Sequence, residues 1–203
     1  MMLVSTYNTR RDTMANETRE KIIQSTLKLI VNRGYTLTTT KDIAKGAGVS
    51  EVTIFRKFKN KQGIIECILQ EYIKFPELDM SILDKCNWIL EEDLKRFSDL
   101  YFKYVTDDYV KLVIGLRSPE LFPLIEKYVV TIPSTFKQIL INYFSIMYEK
   151  GRISNNNFEV LVLMFISLNF GFIFMKASFG NDLTSLQDDE YIKESIKMFA
   201  KGI

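Results

Sequence analysis

The 203-residue chain contains no histidine and only two cysteines, Cys67 and Cys86, which do not form a Cys-x-x-Cys pair. Histidine is the most common general base and a frequent metal ligand, so its absence argues against hydrolytic and metal-dependent chemistry. The two cysteines match no zinc-site spacing, and we expect reduced thiols, although the sequence also allows a disulfide. No nucleophile–base pair or phosphate-binding loop is visible either. The sequence therefore predicts no enzyme, no metal site and no cofactor.

Proline and glycine are also scarce, with four and nine residues, which leaves room for long helices. Apolar residues make up 47% of the chain and aromatic residues 13%, enough for a substantial hydrophobic core. The N-terminus is too polar for a secretory signal. The longest apolar stretch, residues 160–175, has 16 uncharged residues, which is just short of a membrane span. We therefore expect a buried helix in a cytoplasmic protein.

Positive charge is concentrated at one end of the chain. Residues 1–63 contain 12 Lys and Arg against 5 Asp and Glu, whereas residues 64–203 contain 15 against 20. The two parts therefore carry net charges of +7 and −5. A basic N-terminal third on an acidic remainder indicates that the first part binds a polyanion.

Helical periodicity and capping residues predict an all-α fold of about nine helices. The first helix is expected to begin at Asn16 or Thr18 and to end at Gly34. Residues 1–15 are polar and aperiodic, so we expect a disordered arm, within which Met14 is an alternative translation start. The remaining helices are expected at residues 41–47, 51–58, 61–75, 82–105, 109–116, 133–151, 156–179 and 188–201. One more is expected to begin at Pro119, with Ser118 as its cap.

Residues 38–58 combine two short helices with a tight turn, which is typical of a helix-turn-helix motif. Thr39, with Asp42 three residues later, predicts a capping box at the first helix, and Ser50 is suited to cap the second. Gly48 permits a positive φ in the turn between them. In such motifs the second helix enters the major groove of DNA.

The segment of residues 34–61, GYTLTTTKDIAKGAGVSEVTIFRKFKNK, closely resembles the DNA-binding domain of the TetR/AcrR family of bacterial transcriptional regulators. It contains the family's Gly-Tyr lead, the Ile-Ala and Ala-Gly-Val-Ser sequences, a Thr-Ile-Phe triplet and the closing Phe and Lys. The resemblance implies a helix-turn-helix domain at residues 16–62, and an effector-binding and dimerisation domain at residues 63–203. Two positions depart from the family pattern, because Val52 replaces a common Gly or Ala and Phe55 replaces a common Tyr.

A recognition helix contacts base edges with its exposed side chains, whereas helix N-termini and basic residues hold phosphates. Arg56 is expected to donate to a guanine, and Thr53 or Val52 to contact a thymine methyl. A solvated charged surface is the simpler alternative for Arg56 and Lys57, and helix capping alone is the alternative for Thr39 and Ser50. The expected DNA-binding residues are Thr38, Thr39, Lys41, Ser50, Glu51, Val52, Thr53, Phe55, Arg56, Lys57 and Lys61.

The resemblance also implies a repressor that leaves a palindromic operator when a small molecule binds among the middle helices. The apolar, aromatic-rich interior favours a lipophilic effector. The nearly all-apolar helix over residues 156–179 is expected to form a homodimer together with the last helix. The alternative is a helix-turn-helix protein without a ligand sensor, with a constitutive or adaptor role. The expected effector pocket comprises Trp88, Tyr101, Ser167 and Asn169.

Overall fold

The computed structural model describes residues 3–72 and 78–203, with side chains described for residues 16–70 and 78–203. Every regular element in these ranges is helical, which confirms the predicted all-α fold. Two short 3-10 helices cover Met80–Lys85 and Gly180–Asp182. The ten α-helices are α1 Leu3–Leu37, α2 Thr40–Ala47, α3 Glu51–Phe58, α4 Lys61–Tyr72, α5 Leu90–Tyr104, α6 Asp107–Gly115, α7 Phe122–Val129, α8 Thr131–Glu149, α9 Phe158–Phe179 and α10 Asp188–Ala200.

The described residues divide into two compact units. The first contains residues 3–72 and 112–126, and the second contains residues 78–111 and 127–203. The division differs from the predicted domain boundary after residue 62. The first unit also includes α4 and residues 112–126, which are distant in the sequence from the N-terminal helices.

The first helix is longer than expected. α1 begins at Leu3, inside the predicted disordered arm, rather than at Asn16 or Thr18. Residues 3–15 contain no proline or glycine, and polar residues alone do not prevent helix formation. Gly34 adopts φ 78° and ψ 167°, so regular helix is interrupted at the residue predicted to end it, and one further turn follows.

The predicted helix-turn-helix motif is formed by α2 and α3. Gly48 occupies the left-handed region (φ 65°, ψ 36°), and its N–H donates to the carbonyls of Ala44 and Lys45 at the end of α2. Thr39 and Asp42 form the predicted capping box, in which each side chain accepts from the other residue's backbone N–H. The buried residues of α1, α2 and α3 are mainly aliphatic and include Ile22, Ile23, Ile30, Ile43, Ile54 and Phe58.

The hydrophobic core of the second unit lies among α5, α8, α9 and α10. α8 packs along α9, and α5 packs against α10. Edge-to-face aromatic pairs join Phe97 to Tyr143 and Tyr101 to Phe136, with ring centroids 5.0 and 4.9 Å apart. These aromatic side chains are therefore packing groups of this unit.

The prediction of a single helix over residues 82–105 is wrong. The chain instead forms the 3-10 helix Met80–Lys85, an irregular link, and then α5. The buried carboxylate of Asp93 accepts the backbone N–H groups of Asn87 (3.1 Å) and Trp88 (2.8 Å). These hydrogen bonds replace those of a continuous helix, and Trp88 adopts φ 64°, which is uncommon for a bulky residue.

α9 has one buried and one exposed face, although nearly all its residues are apolar. By length and composition, Phe158–Asp182 is the one described stretch suited to cross a membrane, but core helices of soluble proteins pass the same test. The buried face covers the core of the second unit, as expected, and the other face is the one expected to need a partner. The exposed face includes Val160, Leu163, Met164, Phe170, Phe174 and Met175.

Candidate DNA-binding site

α3 exposes apolar and basic side chains next to each other. Its buried residues Ile54 and Phe58 hold it in the first unit, whereas Val52 is 73% exposed and Phe55 is 48% exposed. Arg56 is exposed as well. The outer surface of this helix is therefore available to a partner and is not required for the core.

The polar side chains at the start of α3 are held by residues of the same motif. The hydroxyl of Thr40, the first residue of α2, donates to the carboxylate of Glu51. The Ser50 hydroxyl accepts from the backbone N–H of Thr53 at 3.3 Å and lies 2.9 Å from the Thr53 hydroxyl. Ser50 is thus the predicted cap of α3, and the polar groups of Glu51 and Thr53 are already engaged within the motif.

The residues around the start of α2 differ in their access to solvent. Thr39 and Lys41 are exposed, whereas Thr38 is fully buried. The Thr38 hydroxyl donates to the carbonyl of Gly34 at 2.8 Å. The geometry therefore favours Thr39 and Lys41 over Thr38 as phosphate contacts.

The capping box of α2 is reinforced by charge. The Thr39 hydroxyl donates to the Asp42 carboxylate at 2.6 Å, and the Arg33 guanidinium pairs with the same carboxylate at 2.6 Å. The hydrogen bond from Thr39 and the charge of Arg33 lower the pKa of Asp42 below its usual value. An ionised carboxylate is therefore maintained at the N-terminus of α2, where the helix dipole also favours it.

The side chain of Lys61, which was predicted to contact DNA, points toward the end of α1. Its Nζ donates to the carbonyls of Tyr35 (2.8 Å) and Thr38 (2.7 Å). Partial burial lowers the pKa of Lys61, and the carboxylate of Glu120 opposes that shift. The ammonium therefore holds the chain at the end of α1, and this geometry does not support a phosphate contact.

Sequence reasoning missed both the Thr40–Glu51 and the Lys61–Tyr35 contacts. Their partners are 11 and 26 residues apart, so no helical or turn spacing indicates them. It also omitted Lys45, an exposed basic residue of α2, although the positive charge of residues 1–63 was a signal for it.

Two of the four predicted pocket residues are packed against aromatic neighbours. The Trp88 ring stacks on Tyr143 with centroids 5.9 Å apart, and the Lys150 ammonium lies 5.0 Å from the Trp88 ring centroid. Tyr101 is buried against Phe136, and this burial raises the pKa of its hydroxyl.

The other two predicted pocket residues lie on different sides of α9. Asn169 is buried, and its side-chain amide donates to the carbonyl of Phe165 one turn earlier, at 2.8 Å. Ser167 is exposed on the outer side of the helix. The geometry therefore favours Asn169 over Ser167 as a residue of the interior.

A surface cleft of about 400 Å³ is present elsewhere in the second unit. It lies between the end of α5, the start of α6 and α9, and its lining includes Phe102, Asp107, Lys111, Ile173 and Lys176. None of the four predicted pocket residues lines this cleft.

Comparisons with known proteins agree with this architecture. The sequence profile of bacterial regulatory proteins of the tetR family matches residues 22–68. The chain is 33% identical over 186 residues to YvkB of Bacillus subtilis, an uncharacterised HTH-type transcriptional regulator, and the match covers 92% of this chain and 97% of YvkB.

Two solved structures share the fold. FadR from Bacillus subtilis superposes with a TM-score of 0.65 at 20% identity, covering 91% of this chain and 98% of FadR. AibR superposes with a TM-score of 0.65, also at 20% identity, covering 89% of this chain and 97% of AibR.

A helix-turn-helix with an exposed, basic recognition helix, joined to further helices, defines a DNA-binding transcriptional regulator. The chain belongs to the TetR family of these regulators, as its sequence motif implied.

Proposed function

We propose that the protein is a cytoplasmic repressor that binds a palindromic operator as a homodimer and is released by a lipophilic small molecule. The observation that carries the proposal is the outer surface of α2 and α3, where Lys41, Lys45 and Arg56 are exposed beside the uncovered recognition helix. Basic side chains bind the phosphate backbone, and an uncovered recognition helix fits the major groove. AibR, which has the same fold, was solved in complex with operator DNA and isovaleryl coenzyme A.

The homodimer is supported by the exposed face of α9. Leu163, Met164 and Met175 are each about half exposed, and Met198 of α10 is 72% exposed. Soluble monomers rarely leave a continuous apolar surface of this kind uncovered. A second copy related by a two-fold axis would cover it with the same residues.

The lipophilic effector is supported by the interior of the second unit, which is built from aromatic and aliphatic side chains. FadR from Bacillus subtilis was solved in complex with stearoyl-CoA, and both this ligand and the AibR ligand carry an acyl group. An acyl chain is the type of group that such an interior binds.

A second candidate function is DNA binding without a ligand sensor. The packing of Trp88 and Tyr101 against neighbouring rings favours it, because side chains that are already packed leave less room for a ligand. The two candidates differ in one measurable property, the release of DNA by a small molecule.

The test begins with selection of genomic DNA fragments by the purified full-length protein, followed by fluorescence anisotropy on the recovered duplex. We expect a palindromic site whose affinity falls steeply with salt. Arg56→Ala should relax the preference at one base step at a cost of about 1–3 kcal/mol, whereas Lys41→Ala should weaken all sequences equally. Recovery of no preferred sequence would refute the proposal.

The effector is tested on the same duplex with a panel of fatty acids and acyl-CoA thioesters of increasing chain length. Release of DNA that depends on chain length supports the ligand-responsive repressor. Tight operator binding that no member of the panel changes would favour the second candidate.

A further inference from the structure

We propose that Val52 recognises the 5-methyl group of a thymine in the operator, so that part of the sequence specificity comes from an apolar contact. This inference rests on the proposed DNA-binding function and assigns a chemical role to one residue within it.

The exposure of Val52 has no explanation in the packing of the motif. Its side chain is 73% exposed, and Phe55, one turn later, is 48% exposed. Ile54 and Phe58 already provide the buried face of α3. The exposure of two neighbouring apolar side chains to water raises the free energy of the isolated protein. Burial of these side chains against a complementary apolar surface lowers it.

The polar neighbours of Val52 in the first turn of α3 are already hydrogen-bonded within the motif. The Glu51 carboxylate accepts from Thr40, and the Thr53 hydroxyl lies 2.9 Å from that of Ser50. The N-terminal residues of a recognition helix lie closest to the base edges. On bound DNA, Val52 would therefore face the base edges without competition from the polar groups on either side.

Valine has no hydrogen-bonding group, which restricts what it is able to recognise. In the major groove the thymine methyl is the apolar feature of the four bases, whereas the other edge groups are hydrogen-bond donors and acceptors. The greater exposure of Val52 selects it over the half-buried Thr53 for the thymine contact that the sequence leaves open between the two residues.

The test replaces single thymidines by deoxyuridine, which removes only the methyl group. The duplex is one selected from a random-sequence pool by the full-length protein. For the wild-type protein we expect roughly fourfold weaker binding at one position in each half-site, the value of one buried methyl group. Val52→Ser should bind the thymidine and deoxyuridine duplexes equally well, with an unchanged melting temperature because the residue is exposed.

Two control variants separate Val52 from its neighbours. Thr53→Ser removes a methyl group but keeps the hydroxyl beside Ser50, and Phe55→Tyr adds a hydroxyl one turn away. Both should keep the wild-type response to deoxyuridine.

Several outcomes would overturn the inference while leaving the proposed function intact. These are a selected site without thymine, a wild-type protein that does not respond to deoxyuridine at any position, and a response that persists in Val52→Ser or disappears in Thr53→Ser. Failure to select any preferred duplex would instead refute the proposed function and the inference together.

Discussion

The Lys61 ammonium lies 3.8 Å from the centroid of the Tyr35 ring and donates to the carbonyl of the same residue at 2.8 Å. Lys61 begins α4 and Tyr35 lies in the last turns of α1, so this contact joins two helices of the first unit. A cation over an aromatic ring is favourable in itself, and the carbonyls near a helix end are short of internal donors. Burial raises the pKa of Tyr35, so its ring stays neutral beneath the ammonium.

Lys61→Ala is expected to lower the free energy of unfolding by about 1–3 kcal/mol, because the carbonyls of Tyr35 and Thr38 lose a charged donor. Urea unfolding followed by circular dichroism measures the loss. Lys41→Ala, which removes an exposed lysine of α2, is the matched control and should change stability by less than about 0.5 kcal/mol. Equal effects of the two substitutions would contradict a structural role for Lys61.

Asp42→Ala is expected to destabilise the protein at neutral pH and to lose this effect in acid. The pKa of Asp42 is lowered from 3.8 by the Thr39 hydrogen bond and by Arg33. A carboxylate with a lowered pKa in the folded state stabilises the fold above the unfolded value and ceases to do so as pH falls through the folded value. The difference in unfolding free energy between wild type and Asp42→Ala should therefore be constant from pH 7 to about pH 5 and shrink below pH 3.8.

The control for this pH series is Asp84→Ala, which removes an exposed carboxylate outside the capping box. Denaturant midpoints measured at each pH supply the comparison. A gap between wild type and Asp42→Ala that persists unchanged in acid would argue that the substitution acts through contacts that do not depend on the charge of the carboxylate.

Asp93→Ala is expected to destabilise the second unit by about 2–4 kcal/mol, because three donors lose their buried acceptor. These are the backbone N–H groups of Asn87 and Trp88 and the hydroxyl of Tyr143, which donates to Asp93 at 3.2 Å. The chain has a single tryptophan, so the fluorescence of Trp88 reports directly on the irregular segment between the 3-10 helix Met80–Lys85 and α5. Asp99→Ala, which breaks only an exposed pair with Lys95, should leave that fluorescence unchanged.

Leu163→Glu is expected to convert the homodimer to a monomer, because it places a charge on the exposed apolar face of α9 without a partner for it. Light scattering should give a mass near 23.7 kDa for the variant and about twice that mass for the wild type. Gln138→Glu, at an exposed position of α8, adds the same charge elsewhere and should remain dimeric. A wild-type monomer at micromolar concentration would refute the dimer.

The helix-turn-helix motif is the part of the protein that the sequence by itself determines. The capping box joins Thr39 to Asp42, three residues away, and Gly48 ends α2 through carbonyls three and four residues earlier. Such contacts close within one helical turn, so residue type and spacing are enough to predict them. The start of α3 at Glu51 was predicted correctly for the same reason, because Ser50 caps a helix only three residues away.

Only the tertiary structure decided the contacts between residues distant in the sequence. Lys61 and Tyr35 are 26 positions apart, and Asp93 and Tyr143 are 50 positions apart. The second of these belongs to the network that breaks the predicted helix at Trp88. α9 is the clearest case, because apolar residues on all its sides leave no periodicity to mark an inner face. Its packing against α8, α5 and α10 buries Leu161, Phe165 and Phe172 and leaves the opposite side exposed. Only these tertiary contacts decide which side is buried, because both sides are equally apolar.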